Sequence, residues 1–267
     1  MKMLNEKKLF LLDIDGTVCK GTQLLDGVKD FLEDAKSRGG KCLFITNNAT
    51  KSVNDYKVYF ENMGLDVKED DFVTTAIVTA EYLKKYHDKE MIFVVGTDSF
   101  IQELRNKEIQ VTQDPMDSAI TCVVVSYDNQ LTYQKLENVC QILTMRDVDY
   151  IATNPDLVCP NEFGFVPDCG SICEMIEHAV QRKPRYMGKP DTAIVQFAMK
   201  KAGMLKAQAL IVGDRLYTDI ACGNRAGIDT ALVLTGEAKK EDLEHSSYQP
   251  TYLLDSIEKL HEAWKFS

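Results

Sequence analysis

No uninterrupted apolar run in the 267-residue chain approaches the ~18 residues a membrane-spanning helix needs. The short apolar stretch near the start meets Asp13 and Asp15 too soon to serve as a signal-peptide core. Basic residues are in deficit, with 31 Lys and Arg against 41 Asp and Glu and a formal net charge of −10. That balance argues against a protein that grips a nucleic acid polymer through backbone charge. There is no CxxC pair, and none of the four histidines is placed to complete a zinc set with Cys169 and Cys173. The eight cysteines therefore do not read as a metal centre. Cys42 in KCLFI, Cys122 in ITCVVV and Cys140 in NVCQIL sit among apolar neighbours, where a thiol behaves as a small hydrophobe. A chain of this length needs no disulfide staples, and the expected location is a reducing cytoplasm. Repeats, low-complexity segments and obvious linkers are also missing.

What is present is an alternation of short apolar runs with amphipathic helical stretches. KLFLLDI (8–14) and KCLFIT (41–46) read as buried strands. So do MIFVV (91–95), AITCVVVS (119–126), DYIAT (149–153), ALIVG (209–213) and DTALVL (229–234). Val28, Phe31, Leu32 and Ala35 fall at helical spacing, and that helix stops at a Gly pair. Ser52 with Asp55 forms a capping box for the next helix, which Gly64 ends. Strand-helix alternation implies an α/β fold, a doubly wound and mainly parallel sheet covered by helices. Thr46 and Lys189 lie 143 positions apart, several times the ~30 residues of a βαβ unit. The strands between them are expected to form a second α/β domain at 77–183, inserted into a core built from 1–76 and 184–267.

In such sheets ligands bind at the carboxyl ends of the strands. The first strand delivers Asp13 and Asp15, which share a face if the chain stays extended. One carboxylate of such a pair can attack phosphorus, and a second can protonate the leaving oxygen. Two close carboxylates repel, so a divalent cation is expected between them, and oxygen ligands suit Mg²⁺. Taken alone, DxDG is also a common turn. The strand at 41–46 delivers Thr46, Asn47 and Asn48, a hydroxyl and two amides suited to phosphate oxygens. Asn48 reads equally well as turn chemistry. Lys189 in MGKPD would neutralise charge on a transferring phosphoryl group. In IVGDRLYTDI, Asp214 follows a buried strand and is placed to complete a cation's ligand set. Asp219 either binds a water on that cation or anchors Lys189, while Thr218 reads also as a helix N-cap.

LLDIDGT, FITNN, MGKPD and GDRLYTDI stand in the order of the four motifs of the haloacid dehalogenase superfamily phosphatases. The whole chain resembles their NagD-like, 4-nitrophenylphosphatase-type branch, with a large α/β cap between the second and third motifs. The resemblance implies hydrolysis of small phosphate monoesters, sugar phosphates or nucleoside monophosphates among them, through an aspartyl-phosphate with Mg²⁺ as cofactor. It makes Asp13 the nucleophile and Asp15 the general acid and base. It gives Lys189 charge stabilisation, and it gives Thr46, with Asn47 nearby, phosphate binding. Asp13, the Asp15 backbone carbonyl and Asp214 become the metal ligands, with Asp219 behind them.

The insert reads as a lid that excludes water. Asn154, Asp156, Asp168 and Ser171, on two of its loops, are candidate contacts for sugar or nucleoside hydroxyls. A phosphotransferase or mutase needs the same four motifs and stays open, as does a regulatory protein that kept only the fold. No partner beyond the small-molecule ester is implied, and a homodimer is left open.

Overall fold

The computed structural model describes residues 3–161 and 163–266. They divide into two compact units. One comprises the chain up to Thr46, Lys57–Val73 and everything from Lys189 onward; the other comprises Asn47–Tyr56 and Thr74–Gly188.

The first unit is organised by a six-stranded sheet. Its spatial order is Tyr252–Leu254, Asp229–Val233, Ala209–Gly213, Leu9–Leu12, Lys41–Thr46 and Phe72–Thr74. The opening strand is central and pairs in parallel with Ala209–Gly213 on one side and Lys41–Thr46 on the other. All four of its residues are buried, as are all of Ala209–Gly213 and Asp229–Val233. Continuous burial is the mark of a strand covered on both faces, and it explains the unbroken apolar runs. Phe10 meets Phe31 and Trp264 edge-on at centroid separations of 4.9 and 5.2 Å. Phe44, Phe60 and Phe72 form a second aromatic group around the other end of the sheet. The Ser52 cap is formed as expected. Asp55 N–H donates to Ser52 Oγ at 3.1 Å, and Ser52 N–H donates to the Asp55 carboxylate at 2.9 Å.

The second unit has its own five-stranded parallel sheet, ordered Arg185–Tyr186, Asp149–Ala152, Ile120–Val125, Met91–Val95 and Gln110–Thr112. A two-stranded hairpin, Val158–Asn161 with Gly164–Pro167, stands apart from it. One apolar cluster, including Val123, Val125, Ile142 and Ile172, packs on one set of strand positions. Another, including Ala76, Leu83, Val94 and Leu104, packs on the alternate set. The α/β class and the parallel sheets expected from the alternation are therefore present. No helix among the described residues is long and apolar enough to cross a membrane.

The loop residues named from sequence as ligand contacts are hydrogen-bonded among themselves, and Asn154, Asp156 and Asp168 are 0–4% exposed. Asn154 Nδ2 donates to Asp156 Oδ2 and to Asp168 Oδ1, both at 3.0 Å. Asn47 Nδ2 donates to the same Asp156 oxygen at 2.8 Å. Asp168 caps the helix Cys169–Val180, and Ser171 Oγ donates to the Leu157 carbonyl at 2.6 Å. Buried carboxylates need such donors to offset lost hydration, and this polar network serves the fold of the loop. None of the eight cysteines, all among the described residues, is in a disulfide. Cys169 and Cys173 share a helix face with their sulfurs 4.0 Å apart.

Candidate active site

Strand register determines which residues meet. Leu12 pairs with Phe44 on one neighbour and Val212 on the other, so Asp13, Thr46 and Asp214 all emerge at the same carboxyl edge. Asp13 N–H still donates to the Val212 carbonyl at 2.9 Å, which holds its side chain at that edge. Beyond it the chain tightens. The amides of Val18 and Cys19 both donate to the Ile14 carbonyl, and Gly16, at φ +85°, permits the reversal. Asp15 lies in this turn, bridged to Cys19.

Lys189 enters from a distant segment and is 2% exposed. Its ammonium lies 2.5 Å from Asp13 Oδ1 and 2.6 Å from Asp219 Oδ1. Burial alone would lower the Lys189 pKa, but the Asp13 and Asp219 carboxylates together raise it above the ordinary lysine range. Asp13 is pushed upward by burial, and repulsion from Asp219 and Asp214 adds to this, against the pull of Lys189. Asp214 is raised to about 7 by burial and by Asp219.

Asp219 sits in a π-helical turn, Leu216–Ile220, where its second oxygen accepts from Arg215 N–H at 3.2 Å. That approach requires Gly213, because a Cβ there would overlap the Asp219 side chain. Asp13, Asp214 and Asp219 are the one group among the described residues able to hold a metal ion, with ligand oxygens all within 4.8 Å of one another. With all three carboxylates ionised, the single Lys189 ammonium would leave an excess of two negative charges, which a divalent cation would cancel. Asp214 Oδ1 is buried, and no hydrogen-bond donor among the described residues reaches it. A divalent cation would satisfy a buried carboxylate oxygen in that position. An all-oxygen donor set suits Mg²⁺.

Of the remaining residues named from sequence, Thr46 ends its strand with only 3% exposure. The Asn47 and Asn48 side chains are engaged within the second unit. Asn47 holds Asp156, and Asn48 Oδ1 accepts from the Thr50 amide at 3.0 Å and the Thr50 hydroxyl at 2.6 Å. Asn48 thus performs turn chemistry.

The sequence reading overlooked the loop 235–238. Glu237 N–H donates to Asp214 Oδ2 at 2.7 Å, and Ala238 N–H donates to the Asp214 carbonyl at 3.0 Å. Thr235 Oγ1 donates to the Gly16 carbonyl at 2.6 Å, tying this loop to the Asp15 turn. The signal was available, since Thr235-Gly236 directly follows an apolar run, as Asp15-Gly16 does. A Cβ on Gly236 would overlap the Asp214 carboxylate. Gly236→Ala is therefore expected to lower stability by ~1–3 kcal/mol, as overpacking does. Urea unfolding of both proteins measures it, and an unchanged midpoint would show that the loop yields freely.

Residues 10–110 match the family model described as haloacid dehalogenase-like hydrolase, and residues 186–260 match one described as HAD-hydrolase-like. An acid sugar phosphatase of Staphylococcus epidermidis is 32% identical over 91% of this chain and 92% of its own length. A solved 4-nitrophenylphosphatase from Thermotoga maritima superposes with a TM-score of 0.92 at 38% identity, covering 98% of both chains. The glycerol phosphate phosphatase of Mycobacterium tuberculosis, solved in complex with magnesium, gives a TM-score of 0.91 at 28% identity, covering 99% of this chain and 80% of that one. With motif order, sheet topology and these relatives in agreement, the chain belongs to the haloacid dehalogenase-like hydrolases and, within them, to the NagD-like phosphatases.

Proposed function

We propose that the protein is a Mg²⁺-dependent phosphatase of small phosphate monoesters, sugar phosphates foremost, working through an aspartyl-phosphate on Asp13. The observation that carries this reading is the buried cluster of Asp13, Lys189, Asp219 and Asp214 with its unsatisfied Asp214 oxygen. A sugar phosphatase and a magnesium-bound phosphatase among the relatives support the substrate class and the cation.

In this reading an Asp13 oxygen attacks phosphorus as the ester oxygen departs, and Asp15 gives that oxygen its proton. Asp15 then takes a proton from the water that cleaves the acyl-phosphate, which regenerates Asp13 and releases inorganic phosphate. Lys189 holds its ammonium against Asp13 and offsets charge on the phosphoryl oxygens, and Asp219 keeps it in place. Thr46 donates its hydroxyl to the phosphate. Asn47 and Asn48 complete that turn, the Asn47 Nδ2 donating to Asp156 and the Asn48 Oδ1 accepting from Thr50. Asp13, the Asp15 carbonyl and Asp214 would hold Mg²⁺, which when bound cancels the excess negative charge of the cluster. The division into a hydrolase core at 1–76 and 184–267 and a cap at 77–183 belongs to the same reading.

The test is phosphate release from a panel of sugar phosphates, nucleoside monophosphates and 4-nitrophenyl phosphate, before and after chelation. Activity is expected to vanish with chelator and return with Mg²⁺. Mg²⁺ at 100 times its dissociation constant should also stabilise the metal-free protein by ~2.7 kcal/mol. Full activity after exhaustive chelation would remove the cation from the mechanism. Transfer of phosphate to an added sugar in preference to water would make the enzyme a phosphotransferase.

A further inference from the structure

Tyr59 lies outside the four motifs, on the helix Val53–Asn62. It reaches the short hairpin that follows the Asp15 turn, formed by Cys19–Lys20 and Gln23–Leu24. Its hydroxyl donates to the Gly21 carbonyl at the hairpin tip. The same oxygen lies 3.8 Å from Cys19 Sγ at the hairpin root. Cys19 is the residue bridged to Asp15, and its carbonyl accepts from Gly16 N–H at 2.8 Å. One phenol therefore touches both the tip and the root of the hairpin to which the Asp15 turn is bridged. The ring is held in turn by Phe60, with centroids 5.9 Å apart. Burial, followed by the Cys19 thiol and the Asp15 carboxylate, raises the Tyr59 phenol above its ordinary range, so it remains a hydrogen-bond donor.

We infer that Tyr59 is a positioning residue that latches this hairpin and so fixes Asp15 for proton transfer to the leaving group. The inference rests on the reading of Asp15 as general acid. A two-stranded hairpin this short is marginal without outside contacts. Proton transfer demands hydrogen-bond reach to the departing oxygen. Removing the latch leaves Asp13, Lys189 and Asp214 untouched, so the defect is confined to substrates that need the proton.

The experiment compares kcat/KM for wild type, Tyr59→Phe and Asp15→Asn across phosphate esters of increasing leaving-group pKa. The series runs from 4-nitrophenyl phosphate through phenyl phosphate to alkyl phosphates. Wild type is expected to show a shallow slope and Asp15→Asn a steep one, since a positioned acid is worth ~10²–10⁴-fold. Tyr59→Phe is expected to fall between them, losing about tenfold more on alkyl esters than on the nitrophenyl ester. Hydrogen exchange at the Gly16 and Leu25 amides, which close the hairpin root, should quicken about fivefold with loss of one hydrogen bond.

A Tyr59→Phe line parallel to wild type, displaced or not, overturns the inference, because a structural defect lowers every substrate alike. Unchanged exchange at both amides also overturns it. An Asp15→Asn line parallel to wild type removes Asp15 as the acid, and the role of Tyr59 falls with that reading rather than through Tyr59 itself.

Discussion

Replacing Asp13 with Asn is expected to reduce phosphate release by at least ~10³-fold while the fold survives with equal or greater stability. The two effects separate because the carboxylate serves the reaction at the expense of the folded state. Asp13 is buried among Asp214 and Asp219, and burial and those charges hold its pKa well above the carboxylate range. An amide of the same shape removes one of three like charges and still accepts the Lys189 hydrogen bond through its oxygen. An amide oxygen does not form the acyl-phosphate, so the chemistry is lost. Phosphate release and urea unfolding on the same preparations provide the check. Activity within tenfold of wild type would exclude a covalent step at Asp13. A large loss of stability would mean that the Asp13–Lys189 pair holds the core together.

Much of this site was legible because strand ends are legible. The runs at 9–12, 42–45 and 209–213 are unbroken by any charged or hydroxyl side chain, and each is followed directly by a polar residue on the same sheet edge. Burial on both faces forces that composition, so the position of Asp13, Thr46 and Asp214 follows from hydrophobicity alone. Lys189 was harder to place. It follows no such run, and its motif order located it where its residue type did not. The short edge strands Phe72–Thr74 and Tyr252–Leu254 escaped because three residues carry too little periodicity to register.

The residues around Asn154 show a different limit. Asn and Asp after a strand serve a ligand or a buried loop with equal ease, and residue type leaves no trace of the hydrogen bonds that join Asn154, Asp156 and Asp168. On Asn48 the side-chain oxygen accepts from Thr50, turn chemistry that the residue type offers alongside phosphate binding. Loop 235–238 acts through backbone amides, and a main-chain donor leaves almost no mark on residue type beyond its glycine.

Lys189→Met should show the opposite balance from Asp13→Asn, with both stability and activity falling. Methionine fills the path of the lysine stem, so the loss reports the ammonium. Without it Asp13, Asp214 and Asp219 share one buried site with no counter-charge. Removing one partner from a buried ion pair costs ~3–5 kcal/mol, which is the deficit expected for the metal-free variant near neutral pH. Its pH dependence has a definite sign. In the parent protein burial and the Asp219 carboxylate raise Asp214 to about 7, well above the ordinary carboxylate range. The folded state therefore holds its proton more tightly than the unfolded chain. Stability linked to this group is fully present below pH ~4 and is lost as pH rises toward 7. Deleting the ammonium removes a charge that pulls Asp13 and Asp214 down, so the deficit of the variant should widen from pH 5 to pH 8 and narrow again toward acid. Mg²⁺ should narrow it at fixed pH by restoring positive charge to the cluster. It should not restore turnover, because the charge on the phosphoryl oxygens loses a donor whose kind is worth ~10²–10³-fold. Urea unfolding at pH 5 and pH 8, with and without Mg²⁺, reads all of these effects together. A deficit that is the same at both pH values and unmoved by Mg²⁺ would show that Lys189 acts by packing, with its charge playing no part in holding the three carboxylates.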